Sequence, residues 1–254
     1  MDRQSRPEKD VVATCNQLLD VNSKYGVLSG HMEKILKLQW ALFFQNPIAR
    51  PDTLMHGINA SMGNLFDGAP QILPIPPEVP ADVPRVQMRS ENGKYNCNIA
   101  CSRLDFILDG SNQNETSWAE MIQDFLAKVK LFTAEAFKES KFIRFGLIGN
   151  FFIPDNAASS SMTRKYLKVD LNTAEEINLR FNKGSSSFGF QLNNITSIST
   201  AFIDINGNAE KGIFIELDVN NIPTLDITSQ DDLLQLVEKH IPSFAPSKVK
   251  GLVK

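Results

Sequence analysis

Side chains alternate between apolar and polar with a period of two over residues 35–44, 95–108, 177–192 and 211–219, and this limits the fold more than any other feature. Successive side chains of a strand point to opposite faces, so alternation marks strands that bury one face and leave the other wet. Antiparallel sheets pack this way, whereas parallel strands buried on both faces read as continuous apolar runs. In the first segment Leu36, Leu38, Trp40, Leu42 and Phe44 alternate with Lys37, Gln39, Ala41 and Phe43, and Asn46-Pro47 ends it. Hydrophobic residues make up 42% of the 254, enough to fill a core.

The other alternating segments pair into hairpins. Val86 and Met88 oppose Tyr95, Cys97, Ile99 and Cys101 across Asn92-Gly93. That dipeptide suits a type I′ turn, whose two central residues need positive φ. The second arm continues, or restarts, through Leu104, Phe106 and Leu108. Ile177, Leu179 and Phe181 form one later arm and Phe188, Phe190 and Leu192 its partner, joined across Lys183-Gly184-Ser185. Phe202–Ile205 and Ile213–Val219 pair around Asn206-Gly207. Phe142–Ile153 is apolar almost throughout and reads as a central strand covered on both faces.

Helical periodicity falls between these groups. Ser117-x-x-Glu120 is a capping box, and Trp118, Met121, Ile122, Phe125, Val129, Phe132 and Ala136 share one face to about residue 139. Residues 51–66 fit a helix opened by Pro51, a short helix ends near Leu167, and Ser229 opens a last helix that Pro242 closes. Residues 7–25 read as a further helix, with Val11, Cys15, Leu18 and Leu19 on one stripe. It docks either on its own chain or on a partner. Residues 68–84 hold six of the thirteen prolines and predict an extended connector, since proline fixes φ and removes a donor. The expected fold is α+β: a largely antiparallel sheet with one long packing helix, a C-terminal helix and an extra N-terminal helix. Residues 1–31 form an N-terminal extension and 32–254 the α+β domain.

Charge and composition narrow the function classes. A net charge of −3, with acids and bases mixed along the chain, gives no global field for a polyanion, so nucleic-acid binding has no support from charge. The first thirty residues show no apolar run after the charged start, and no stretch of about 18 uncharged apolar residues exists to cross a membrane. Three unevenly spaced cysteines (Cys15, Cys97, Cys101) point to reduced thiols and a cytoplasmic setting.

The order of elements also carries a resemblance. Ser90-Glu91-Asn92-Gly93 in a hairpin is followed by a long helix, then Ile143-Arg144-Phe145-Gly146-Leu147 with Asn150 nearby, and late Glu216-Leu217-Asp218-Val219. Over 33–254 the chain resembles a family of sporadically distributed, uncharacterised prokaryotic proteins marked by a GLR-like strand with a nearby Asn and a late LDxD-like strand. The resemblance implies a fold rather than a mechanism. It also implies an accessory protein with the scattered distribution of mobile-element and antiphage defence genes.

No nucleophile elbow, phosphate loop or metal-binding spacing is present, so no catalytic residue, metal site or cofactor is expected. Cys97 and Cys101, four apart on a strand, are too separated to chelate one ion and read as small core residues. His31, His56 and His240 lack the spacing that places two ligands on one helix face. His240 reads as a charge favoured by a helix C-terminus.

The strongest enzyme alternative is a Mg²⁺-dependent nuclease or phosphodiesterase using strand carboxylates Asp204, Glu216 and Asp218, with Asp105 on another strand. Glu139-Ser140-Lys141 has nuclease-like spacing but lies at a helix end, far from Pro51-Asp52. Outward acids of an antiparallel sheet are more simply its solvated face. The aromatic strand 142–152 could stack RNA bases, yet Arg144 is its only charge. The leading expectation is a non-enzymatic protein-binding or regulatory module.

Overall fold

A computed structural model describes residues 34–76, 78–111, 117–169, 174–205, 208–224, 226–227 and 229–253. The helix expected over 7–25 and the turn residues Asn206-Gly207 lie outside them. Nine strands form one sheet: β1 (Lys34–Phe44), β2 (Gln71–Ile72), β3 (Pro84–Arg89), β4 (Tyr95–Ala100), β5 (Arg103–Asp109), β6 (Phe142–Pro154), β7 (Asn178–Ser187), β8 (Phe190–Ile205) and β9 (Asn208–Asn221). The order is β2-β3-β4-β5-β1-β6-β9-β8-β7, and every pairing is antiparallel. With helices α1 (Leu54–Ser61), α2 (Trp118–Glu139), α3 (Ala158–Met162), α4 (Gln230–His240) and α5 (Pro246–Lys250), the fold is α+β, as the alternation predicts.

The helices share one face of the sheet, and the core lies between the two layers. Leu38, Trp40, Leu42 and Phe44 point into it from β1, while Met121, Ile122, Phe125, Val129, Phe132 and Ala136 meet them from α2. Trp40 is fully buried, and its Nε1–H donates to Thr133 Oγ1 at 3.1 Å. Trp118 is only half-buried, at the first turn of α2. Leu36 drops out of the stripe because a bulge lies between Ile35 and Lys37. On β6, Gly149 faces the helices, where a Cβ would come within 2.5 Å of the Phe244 ring. The absent side chain lets the 3₁₀ turn Ile241–Phe244 lie directly on the sheet.

Several elements depart from expectation. The helix expected over 51–66 is a 3₁₀ turn at Pro51–Thr53 followed by α1, and Gly63 and Asn64 at positive φ end it before 66. The proline run is mostly connector, as expected, but contributes the two-residue edge strand β2. At Asn92-Gly93 only Gly93 has positive φ, and Gly93 N donates to Ser90 O, so the loop is longer than a type I′ pair. The later hairpin turns at Phe188-Gly189, with φ of 50° and 78°, and not at Lys183-Gly184-Ser185, which lies within β7. Beyond Ala100 the arm restarts as the separate strand β5, one of the two readings the sequence allows. Strand β6 is central in the sheet, as expected, and among the described residues helices cover one of its faces, while Phe152 is fully buried on the other.

Candidate functional site

Among the described residues no helix packs on the opposite face of the sheet, and that face carries the candidate site. Directly opposed residues on neighbouring strands share a face, so the registers assemble rows across it. The first row is Arg103–Phe43–Arg144, on β5, β1 and β6. The two guanidinium carbons lie 5.0 Å and 5.1 Å from the Phe43 ring centroid, placing the half-buried ring between two cations. The second row, Asp105–Ala41–Gly146–Asn220, dips into a trough at the small residues Ala41 and Gly146. Behind it comes Ile107–Gln39–Ile148–Asp218, then Asp109–Lys37–Asn150–Glu216.

Hydrogen bonds lock part of this surface. Asp105 is buried and accepts from Gln39 Nε2 at 2.8 Å, Arg103 Nε at 2.9 Å and Arg103 Nη2 at 2.5 Å. Asn220 Nδ2 donates to Asp218 Oδ2 at 2.9 Å, and its own Oδ1 accepts from Asn193 Nδ2 at 3.2 Å. Three buried atoms, Arg144 Nε, Asn150 Oδ1 and Asp218 Oδ1, make no hydrogen bond among the described residues. Burial raises the Asp218 pKa above the usual carboxylate value, against the pull of Asn220, Arg144, Arg180 and Arg103. Burial likewise lowers the Lys37 pKa, although Glu216 and Asp105 favour its charged form. Toward β2 the face continues into a hollow of about 360 Å³ lined by Gln87, Arg89, Glu91, Asn96 and Asn98.

The carboxylates of the nuclease reading separate. Glu216 and Asp218 point to this open face two residues apart on β9. The unbroken β8–β9 register sets Ile195 opposite Asp218, and Asp204 lies an odd number of residues beyond Ile195. Asp204 therefore faces the helix side, roughly 30 Å along the strand at about 3.3 Å per residue. Among the described residues no group of three His, Cys, Asp or Glu could hold a metal ion. Lys141 lies between α2 and β6 and pairs with Asp226 at 3.5 Å, away from the strand acids. Cys97 is a buried free thiol, its pKa raised by burial, and Cys101 is free and half-buried.

His56 is exposed on α1. His240 ends α4, as expected, and burial, with Lys239 beside it, lowers its pKa. His31 lies outside the described residues, and no described helix is long and apolar enough to cross a membrane.

Sequence reading missed Arg103, Phe43 and Arg144 as a unit. One signal is present: Phe43 is an aromatic on the stripe of β1 that carries Lys37 and Gln39. No protein-family model matches the chain, and no curated protein matches it.

Proposed function

We propose that the chain is a non-enzymatic protein-binding or regulatory module whose contact surface is the open face of the sheet. The observation that carries this reading is the Arg103–Phe43–Arg144 row beside the Ala41–Gly146 trough. Aromatic and arginine side chains dominate binding energy at protein interfaces, most of all where they are partly desolvated before binding. The mixed charge of the face favours a protein over a nucleic-acid backbone. Through its resemblance to the sporadically distributed family, the module takes the setting of a cytoplasmic accessory protein in a prokaryotic mobile-element or antiphage defence system. The free thiols of Cys97 and Cys101 fit that compartment.

The test is affinity capture from the native cell with the wild-type chain and Arg144→Glu, followed by titration of each purified captured protein. The expected result is one partner that rebinds in purified form and binds the variant roughly thirtyfold more weakly, as loss of a 2 kcal/mol contact gives. Equal affinity for both chains would remove the open face as the contact surface. Incubation with DNA and RNA in Mg²⁺ or Mn²⁺ tests the other class. Hydrolysis that disappears in the Glu216→Ala/Asp218→Ala double variant would replace this reading with a phosphodiesterase.

A further inference from the structure

The two edges of the sheet are built differently. At one edge β2 is two residues long and lies within the proline run, between Pro70 and Pro74, which leaves little backbone to pair. At the other edge β7 runs for ten residues without proline and without a register break against β8. Thr200 N donates to Ile177 O at 3.0 Å, which fixes the phase of the ladder. The odd residues of β7 bond toward β8, and the amides and carbonyls of Asn178, Arg180, Asn182, Gly184 and Ser186 point away from the sheet. Among the described residues β7 pairs with β8 alone.

We infer that this edge pairs with a second copy of the chain, β7 against β7 in antiparallel orientation about a two-fold axis at Asn182. The pattern along the strand is self-complementary, which is what a two-fold interface requires. Glu175 and Glu176 stand exposed at its N-terminal end. At the other end Lys239 Nζ donates to Ser187 Oγ at 2.9 Å and lies 5.5 Å from the Phe188 ring centroid. Antiparallel pairing about Asn182 brings Glu175, which shares the helix side with Ile177 and Leu179, opposite Gly189 of the other copy, diagonal to Ser187 and so beside that copy's Lys239, at both ends. It also sets Phe181, 37% exposed, opposite Lys183 twice, where a cation can lie against the ring. Five outward residues on each strand supply about ten new backbone hydrogen bonds. The open face stays free on both copies, so this contact is separate from the surface proposed above.

Sedimentation equilibrium of the full chain tests the inference. The expected mass is twice that of the chain for the wild type and that of one chain for Asn182→Pro, which removes an outward N–H that no other strand uses among the described residues. Glu175→Lys and Lys239→Glu each weaken dimerisation by roughly tenfold, because each contact occurs twice, and the double variant restores it. A monomeric wild type would overturn the inference, as would a dimer indifferent to all of these changes. Should Asn182→Pro fail to fold, the charge-reversal cycle decides alone: no weakening in either single variant, or no rescue in the double variant, overturns it.

Discussion

Trp40 shows how one residue joins two layers of this molecule. Its ring is fully buried and lies 5.7 Å from the Phe145 ring, and its only polar atom is satisfied by Thr133 of α2. Trp40→Ala should cost about 3–5 kcal/mol in denaturant unfolding, against a typical total of about 5–15 kcal/mol. A midpoint unchanged from wild type would mean that β1 does not face the core. Two aspartates should respond to pH with opposite signs. Asp124 is partly buried, yet hydrogen bonds from Lys128, Tyr95 and Lys94 bring its pKa down to about 2. A depressed folded value stabilises the protein above the unfolded value and is lost as pH falls through the folded one. Asp124→Asn should therefore lower the melting temperature at neutral pH and make little difference near pH 2. Asp218 has its pKa raised by burial, so its charged form costs stability as pH rises above the ordinary carboxylate range. Asp218→Asn should raise the melting temperature at neutral pH and leave it unchanged in acid. Both variants are checked by melting curves across pH.

At the scale of elements, α2 has its ends set by local chemistry. Ser117 Oγ accepts from Glu120 N at 3.3 Å, and the Glu120 carboxylate accepts from Ser117 N at 3.1 Å. Ser117→Ala should cost about 1 kcal/mol, read from the denaturant midpoint at unchanged slope. This helix was legible from sequence because its capping box and its 3.6-residue stripe agree. The β7–β8 hairpin was not. Its turn places Phe188 at positive φ, a conformation that L side chains with a bulky ring seldom adopt, so nothing marked that residue as a turn. Gly184 draws the turn to itself because beyond Phe181 β7 is an edge strand polar on both faces, where no alternating stripe shows. The central strand β6 reads as buried on both faces because Gly146, Ile148 and Phe152 stand on the side away from the helices, where Phe152 is fully buried and Ile148 half-buried.

For the whole molecule, the arrangement of the described helices on one side of the sheet matters most. The alternation of β1 already assigns Lys37, Gln39 and Phe43 to one face, but their neighbours come from strands sixty residues or more away in the chain. Which side chains meet on an antiparallel sheet depends on register, and register is set by bulges and turns that the sequence shows weakly. For that reason Glu216 and Asp218, two apart on one strand, could be placed on one face from sequence alone. The position of Asp204 on the other face followed only from the β8–β9 register. The open-face row should also be nearly independent of the core. Phe43→Ala combined with Arg144→Ala is expected to shift unfolding by about 1 kcal/mol or less while abolishing partner binding. The most direct test of the central claim is hydroxyl-radical footprinting of the chain, free and in complex with its captured partner. Phe43 oxidation should fall on binding, while oxidation of Phe202, 72% exposed on the helix side of β8, stays constant. Unchanged Phe43 oxidation with protection of Phe202 would contradict the assignment and move the contact surface to the helix side.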